Sequence, residues 1–395
     1  MEPDLASLVI ITAVAVLAPI LADIPRRVRI AVVVMEILLG IVIGPQVLDL
    51  AGPDPFIDFL ANLGLAALFF LAGSEIDLAR IRGAPMRAAG IGWVASLVLG
   101  LAAAFALDAA GIISDPELVG IALATTALSV LVPLMRDAGI SGTAFGTVVF
   151  AIGTFGEMGP IILMSIFLAA GQSSLTTALL LVAFTILIVL VAVVALQVHP
   201  QRVSRLINET MHASGQLAVR LCILLLVALV FLAVELEQDL ILGAFAAGII
   251  LGFVTRDQPV LESLKPKLDA IAYGLLVPIF FVRSGMTFDL DGLLESPSAL
   301  AELPLFLGLL LLVRGLPAVF SRRVVPPGTV APLGLLSAAA LPLVVAITSI
   351  GVETGELASD TAASLVGAAM LSVLIFPVIA LGLLRRTPEE AVAPP

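Results

Sequence analysis

Apolar residues run along this chain in long stretches, without the strict alternation of a half-buried strand or the polar face of a surface helix. The stretches fall at 5–21, 30–48, 57–73, 88–109, 118–135, 144–170, 175–196, 217–234, 240–254, 268–285, 303–320, 330–352 and 358–384. About 20 apolar residues cross the hydrocarbon core of a bilayer as a helix, and these runs are of that order. The connections between them are short. The pattern predicts an all-α polytopic membrane protein of 13 transmembrane helices. The lipid bilayer is then its surroundings, with almost no soluble domain.

Composition strengthens this reading. The chain is 61% hydrophobic and 12% charged, with a mean hydropathy of +1.20. Soluble domains average nearer half apolar and a quarter charged. The first run follows Glu2 and Asp4 rather than a basic segment, so it reads as a true first helix and not a cleaved leader. The single Cys222 can form no intramolecular disulfide. A net charge of −11 sits mostly in short loops and points away from nucleic acid.

Charge also orients the helices. Alternate loops carry Arg26, Arg27 and Arg29; Arg80, Arg82 and Arg87; Arg136; Arg202 and Arg205; Arg256, Lys265 and Lys267; Arg322 and Arg323; and finally Arg385 and Arg386. The intervening loops carry no Lys or Arg, and most of them carry acids. The positive-inside rule places the basic loops in the cytoplasm. The N-terminus is expected outside and the C-terminus inside, in an inner (plasma) membrane.

Few ionisable groups lie deep in the runs, and charge at mid-bilayer costs at least about 2.5–3.5 kcal/mol. Glu157 stands at the centre of the sixth run, in AIGTFGEMGPIILM, flanked by Gly153, Gly156, Gly159 and Pro160. Glycine and proline loosen the backbone there and let other groups approach. Arg314 stands near the centre of the eleventh run and is the candidate charge partner of Glu157. Glu36, in the second run, is a secondary candidate. Glu75 and Asp77 close the third run, where pairing with Arg80 and Arg82 is expected.

Two runs look interrupted. The fifth carries Thr125, Thr126, Ser129 and Pro133; the twelfth carries Ser337, Pro342, Thr348 and Ser349. Proline frees a carbonyl and hydroxyls can satisfy the freed groups. Interrupted helices at matching places in two halves point to an inverted-repeat transporter. The expected division is a first six-helix repeat at 1–174, a linker helix and loop at 175–213, an inverted second repeat at 214–386 and a short tail at 387–395.

At these residues the chain resembles the Kef-type (monovalent cation:proton antiporter-2) branch of the cation:proton antiporter superfamily, which has the sodium/hydrogen exchanger fold. LLGIVIGP in the second run, LGLAALFFLAGSEIDL in the third, LILGAFAAGIILG in the ninth and LLVPIFFVRSGMTFDL in the tenth resemble family stretches in the family's order. The resemblance implies a core bundle of runs four to six and eleven to thirteen, with the fifth and twelfth crossing near the midplane. Runs one to three and eight to ten would form a dimer-side scaffold, so a homodimer is expected. It also implies that Glu157 is the ion-binding carboxylate, although many relatives have Asp there, and that Arg314 is the family's basic residue. No cofactor is implied, and the nucleotide-binding domain of some relatives is not expected here.

The mechanism this suggests is exchange of a monovalent cation, Na+ or K+, for H+. Glu157 alternates between proton and cation, with oxygens of Thr126 and Ser129 completing the shell and Thr125 and Thr154 as secondary candidates. The competing readings are a sodium-coupled organic-anion symporter of related architecture, a channel, and a membrane-embedded enzyme. The last lacks a metal-spaced cluster, since His199 and His212 lie in or beside one loop.

Overall fold

A computed structural model gives the fold. It describes residues 5–23, 31–52, 54–75, 83–171, 216–236, 240–255 and 264–384. All regular structure among the described residues is helical. In chain order the elements are α1 (Leu5–Asp23), α2 (Val32–Ile43), α3 (Pro55–Ser74), α4 (Ala84–Ala109), α5 (Pro116–Leu123), α6 (Leu128–Asp137), α7 (Ala144–Gly171) and α8 (Leu217–Glu235). There follow α9 (Leu240–Thr255), α10 (Lys265–Met286, with a π-helical turn at Ala272–Leu276), α11 (Leu290–Glu295) and α12 (Pro297–Gly315, tightening to 3₁₀ over Leu316–Ser321). The chain closes with α13 (Val330–Ser337), α14 (Pro342–Glu353) and α15 (Ser359–Leu384). Nine stretches among the described residues are long and apolar enough to span a membrane. The expected seventh run, 175–196, lies outside the described residues.

Two of the expected runs differ in extent. The second ends as a helix at Ile43 rather than 48, because Gly44 and Pro45 follow and Gly44 donates its amide back to the Gly40 carbonyl. The eleventh begins at Pro297 rather than 303. Ser296 Oγ accepts the Ala299 amide and Pro297 opens the helix. A hydroxyl cap followed by proline is a strong start signal, and hydropathy alone does not see it.

The chain divides into two compact units. One comprises Met1–Ala15, Pro53–Asp77 and Ile161–Arg283; the other comprises Val16–Gly52, Leu78–Pro160 and Ser284–Pro395. In the first unit α3 packs along α9 with the two backbones in close contact. A Cβ on Gly248 would meet the Phe70 carbonyl, and one on Gly73 the Phe245 carbonyl. Small residues at such crossings are what hold helices together when lipid removes the hydrophobic drive. Ion pairs tie α3 antiparallel to α10 at both ends: Glu75 Oε1 with Lys265 Nζ at 2.7 Å and Asp58 Oδ1 with Arg283 Nε at 2.8 Å. Glu75, expected to pair with Arg80 and Arg82, is met by Lys265, brought near by the fold. Asp77, Arg80 and Arg82 lie outside the described residues.

The second unit gathers α2, α4, α5, α6, the first half of α7, and α11 to α15. This unit also takes in α2, which the family resemblance assigns to the scaffold together with the tenth run. The cause is local. A Cβ on Gly285 would meet the Ile37 carbonyl, and one on Gly44 would lie 2.9 Å from Met286 Cα. The Gln46 carboxamide accepts from the Leu290 and Asp291 amides and reaches Asp289. Asp289 caps α11 through the Gly292 amide, and that bond holds its carboxyl below the usual carboxylate range. Its second oxygen takes the Ser359 hydroxyl.

Candidate functional site

The site is built where two helices stop and restart. Between α5 and α6 the chain leaves the helix at 124–127, and between α13 and α14 at 338–341. Thr125 turns its hydroxyl back onto the Ala122 carbonyl at 2.7 Å. The Thr126 amide donates to the Gly156 carbonyl of α7 at 3.0 Å, and the Ala127 amide to the Ala339 carbonyl at 2.8 Å. Thr126 Oγ1 donates to the Ser337 carbonyl at 2.5 Å. The Ala340 amide finds the Ser372 hydroxyl of α15 at 3.1 Å. Non-helical backbone at membrane depth survives only where protein groups satisfy it, and here they do. Ala124, Ala127, Ala338, Ala339 and Ala340 are buried, so small side chains let the two interruptions meet.

Arg314 closes the arrangement. It is 3% exposed. Its Nε and Nη2 both donate to Thr126 Oγ1, at 2.8 and 2.6 Å. Nη1 donates to Ser96 Oγ of α4 at 3.0 Å and Nη2 to the Ile152 carbonyl of α7 at 3.4 Å. No carboxylate is among these partners. Arg314, the expected charge partner of Glu157, turns these hydrogen bonds to hydroxyls and a carbonyl. Thr126, expected to help hold the cation, sits at the centre of this network. A hydroxyl has one proton and two lone pairs; Thr126 gives the first to Ser337 and turns the others to Arg314.

Glu157 follows directly on Gly156, which the Thr126 amide grips. It is 4% exposed on α7. Glycine at 156 is a requirement of space: a Cβ there would stand 2.6 Å from Thr126 Cβ and 2.8 Å from Arg314 Nη2. The guanidinium therefore lies against the residue preceding Glu157 and brings positive charge to that stretch of α7. On the far side of Glu157, a Cβ on Gly159 would strike the Trp93 ring of α4. Thr154 is buried and bonds its own helix at Phe150. Glu36 is buried on α2 in the same unit and is not a partner of Arg314 or Thr126. Ser129 sits on α6 with its side chain outside the described residues. Sequence reasoning missed Ser96 and did not link Ser337 to this cluster. The one signal for Ser96 was a lone hydroxyl in an otherwise apolar run.

The comparisons with known proteins agree with this architecture. Residues 12–385 match the sodium/hydrogen exchanger, transmembrane family. The chain belongs to that family. It is a multi-pass membrane protein, and the family is one of transporters rather than enzymes. YjbQ of Bacillus subtilis, which carries the name of an Na+/H+ antiporter, is 28% identical over 98% of this chain; the chain spans 64% of that relative's length. GerN of Bacillus cereus, named an Na+/H+-K+ antiporter, is 27% identical over 87% of each chain. The solved structure of the sodium proton antiporter MjNhaP1 from Methanocaldococcus jannaschii shares the fold of this exchanger-family chain. Its TM-score is 0.68 at 16% identity, covering 98% of this chain and 99% of that one.

Proposed function

We propose that the chain exchanges a monovalent cation, Na+ or K+, for H+ by competition at Glu157. The observation that carries this reading is the placement of one buried carboxylate beside two helix interruptions that hydrogen-bond to each other. A carboxylate in such a place holds a proton or a cation in turn, because bare charge there is costly. Loosened carbonyls of 124–127 and 338–341 supply further oxygens for the cation. Thr126 acts as a fastener rather than a ligand, and Arg314 holds both interruptions and α7 in register. The antiporter names of the relatives favour this reading over organic-anion symport.

In the same reading, the 13 helices form two inverted six-helix repeats around a linker helix. The interrupted helices cross near the midplane, the basic loops face the cytoplasm, and the chain works as a homodimer. Glu36, Thr125 and Thr154 stay outside the exchanging site.

Exchange is then electroneutral, one cation for one proton. Glu157 is preceded by Gly156, which has nothing to titrate, so the moving site carries the same net charge on both journeys. The test uses purified protein in liposomes with sodium as the driven ion, clamped at zero and at a large potassium–valinomycin potential. Equal rates at the two potentials are expected. A strong dependence on potential contradicts the single-carboxylate account, and Glu36→Gln is then the first variant to make.

A further inference from the structure

A second buried carboxylate in the same unit has no role in the site described. Glu302 of α12 is 6% exposed, and its Oε2 has no hydrogen-bond partner. Asp360, in the first turn of α15, acts on it electrostatically, and the Ser364 hydroxyl is its hydrogen-bonding neighbour. Ser364 has one proton to give. The Ala299 carbonyl at 2.9 Å and the Asp360 carbonyl at 3.0 Å both stand ready to take it. Asp360 Oδ1 is turned to the Thr361 amide. Glu302 therefore has the Asp360 carboxylate and carbonyls for neighbours, with the Ser364 hydroxyl as the donor whose proton they share.

No cationic side chain answers this charge from the neighbouring segments. The sequence has no Lys or Arg from 284 to 313 or from 324 to 384. The other acids close by have structural work: Asp289 caps α11 and holds Ser359 and Gln46. A first-turn acid is favoured by the helix dipole, which accounts for Asp360. It does not account for Glu302, which lies in the second turn and is dry. A buried carboxylate with one oxygen unpartnered and a second carboxylate beside it calls for a proton or a small cation.

We propose that Glu302, Asp360 and Ser364 form a second binding site for a monovalent cation, separate from Glu157, at which the ion loads on its way through the exchanger. The transport role rests on the antiport reading above; the binding site does not. Glu302 lies twelve positions before Arg314 on α12, about 18 Å along the axis at about 1.5 Å per residue. That is beyond half the thickness of a roughly 30 Å hydrocarbon core, and so near the membrane boundary. Two carboxylates and a hydroxyl are few for Ca2+, which takes about 6–8 oxygens. No group of three acid, His or Cys side chains stands together among the described residues.

Two measurements decide it. The first is equilibrium binding of sodium, and separately of potassium, to detergent-purified Glu157→Gln protein. One saturable site is expected to remain there and to vanish in the Glu157→Gln/Glu302→Gln double variant. Absence of binding in the single variant, or undiminished binding in the double, overturns the site whether or not the protein transports. The second is exchange kinetics of Glu302→Gln alone, with cation presented to each face in turn. KM is expected to rise about ten-fold from the face bearing Glu302 and to hold from the other. A fall in Vmax of equal size from both faces marks a merely structural carboxyl and overturns the loading role. Should Glu302→Gln fail to fold, Asp360→Asn replaces it in both measurements, with the same outcomes expected and the same ones fatal.

Discussion

Glu157→Gln is expected to fold, to insert, and to move ions no faster than protein-free liposomes. Glutamine keeps the length and nearly the volume of the side chain, so the packing of α7 against Thr126 and Trp93 is not disturbed. It can still hydrogen-bond, but it neither titrates nor carries charge. A site that alternates between proton and cation then has nothing to exchange. The measurement is cation-driven proton flux in proteoliposomes, with circular dichroism and size-exclusion behaviour as the check on folding. A purified Glu157→Gln protein with wild-type flux removes Glu157 from the mechanism.

The second large effect is on stability. Arg314→Ala takes away the guanidinium that reaches α4, α7 and the 124–127 segment at once. Thr126 Oγ1 loses both of its donors and Ser96 loses its own, and unsatisfied buried groups cost about 1–3 kcal/mol each. Glu157 also loses the nearest positive charge described beside α7. A total loss of about 3–5 kcal/mol is expected, of the size seen when one partner of a buried polar pair is removed. Arg314→Lys should recover only part of it, because an ammonium restores the charge and not the fork. Saturating cation should raise the melting temperature of Arg314→Ala more than that of wild type, since it neutralises the uncompensated buried charge at Glu157. Thermal unfolding in detergent with and without cation reads both effects. A melting temperature equal to wild type in either condition contradicts the role assigned to Arg314.

Much of this was legible before any coordinates. Long apolar runs gave the helices, since nothing but lipid tolerates so many in succession. Depth within a run singled out Glu157 and Arg314, because charge is rare there for a stated energetic reason. The interruptions were legible as pairs, but not in place. In the fifth run Pro133 sits inside α6 and does not end it; the break lies at 124–127, which contains neither glycine nor proline. Its backbone is held open by Gly156, Ala339 and Ser337, residues far away in sequence. Local chemistry cannot announce a break that distant partners maintain. The twelfth run was easier, since Pro342 itself opens α14.

The same reasoning explains what stayed out of reach. Opposite charges at similar depth suggested Arg314 as the charge partner of Glu157. Periodicity gives depth, but not which of several neighbours a five-donor side chain will choose. Thr126 and Ser96 took those donors, and neither choice has a local signature. The seat of α2 had no such signal either, since Gly285 against Ile37 is a contact that holds it. Contacts between small residues leave almost no trace in hydropathy.

The central claim, that proton and cation compete for Glu157, is tested most directly by proton release. Sodium or potassium is added to purified protein in weakly buffered detergent solution containing a pH indicator, at a pH where the empty site is protonated. The account predicts a saturable release that follows cation occupancy and disappears in Glu157→Gln, with any release from the Glu302 site remaining as a separate component. Cation binding that leaves the Glu157-dependent proton in place would contradict it.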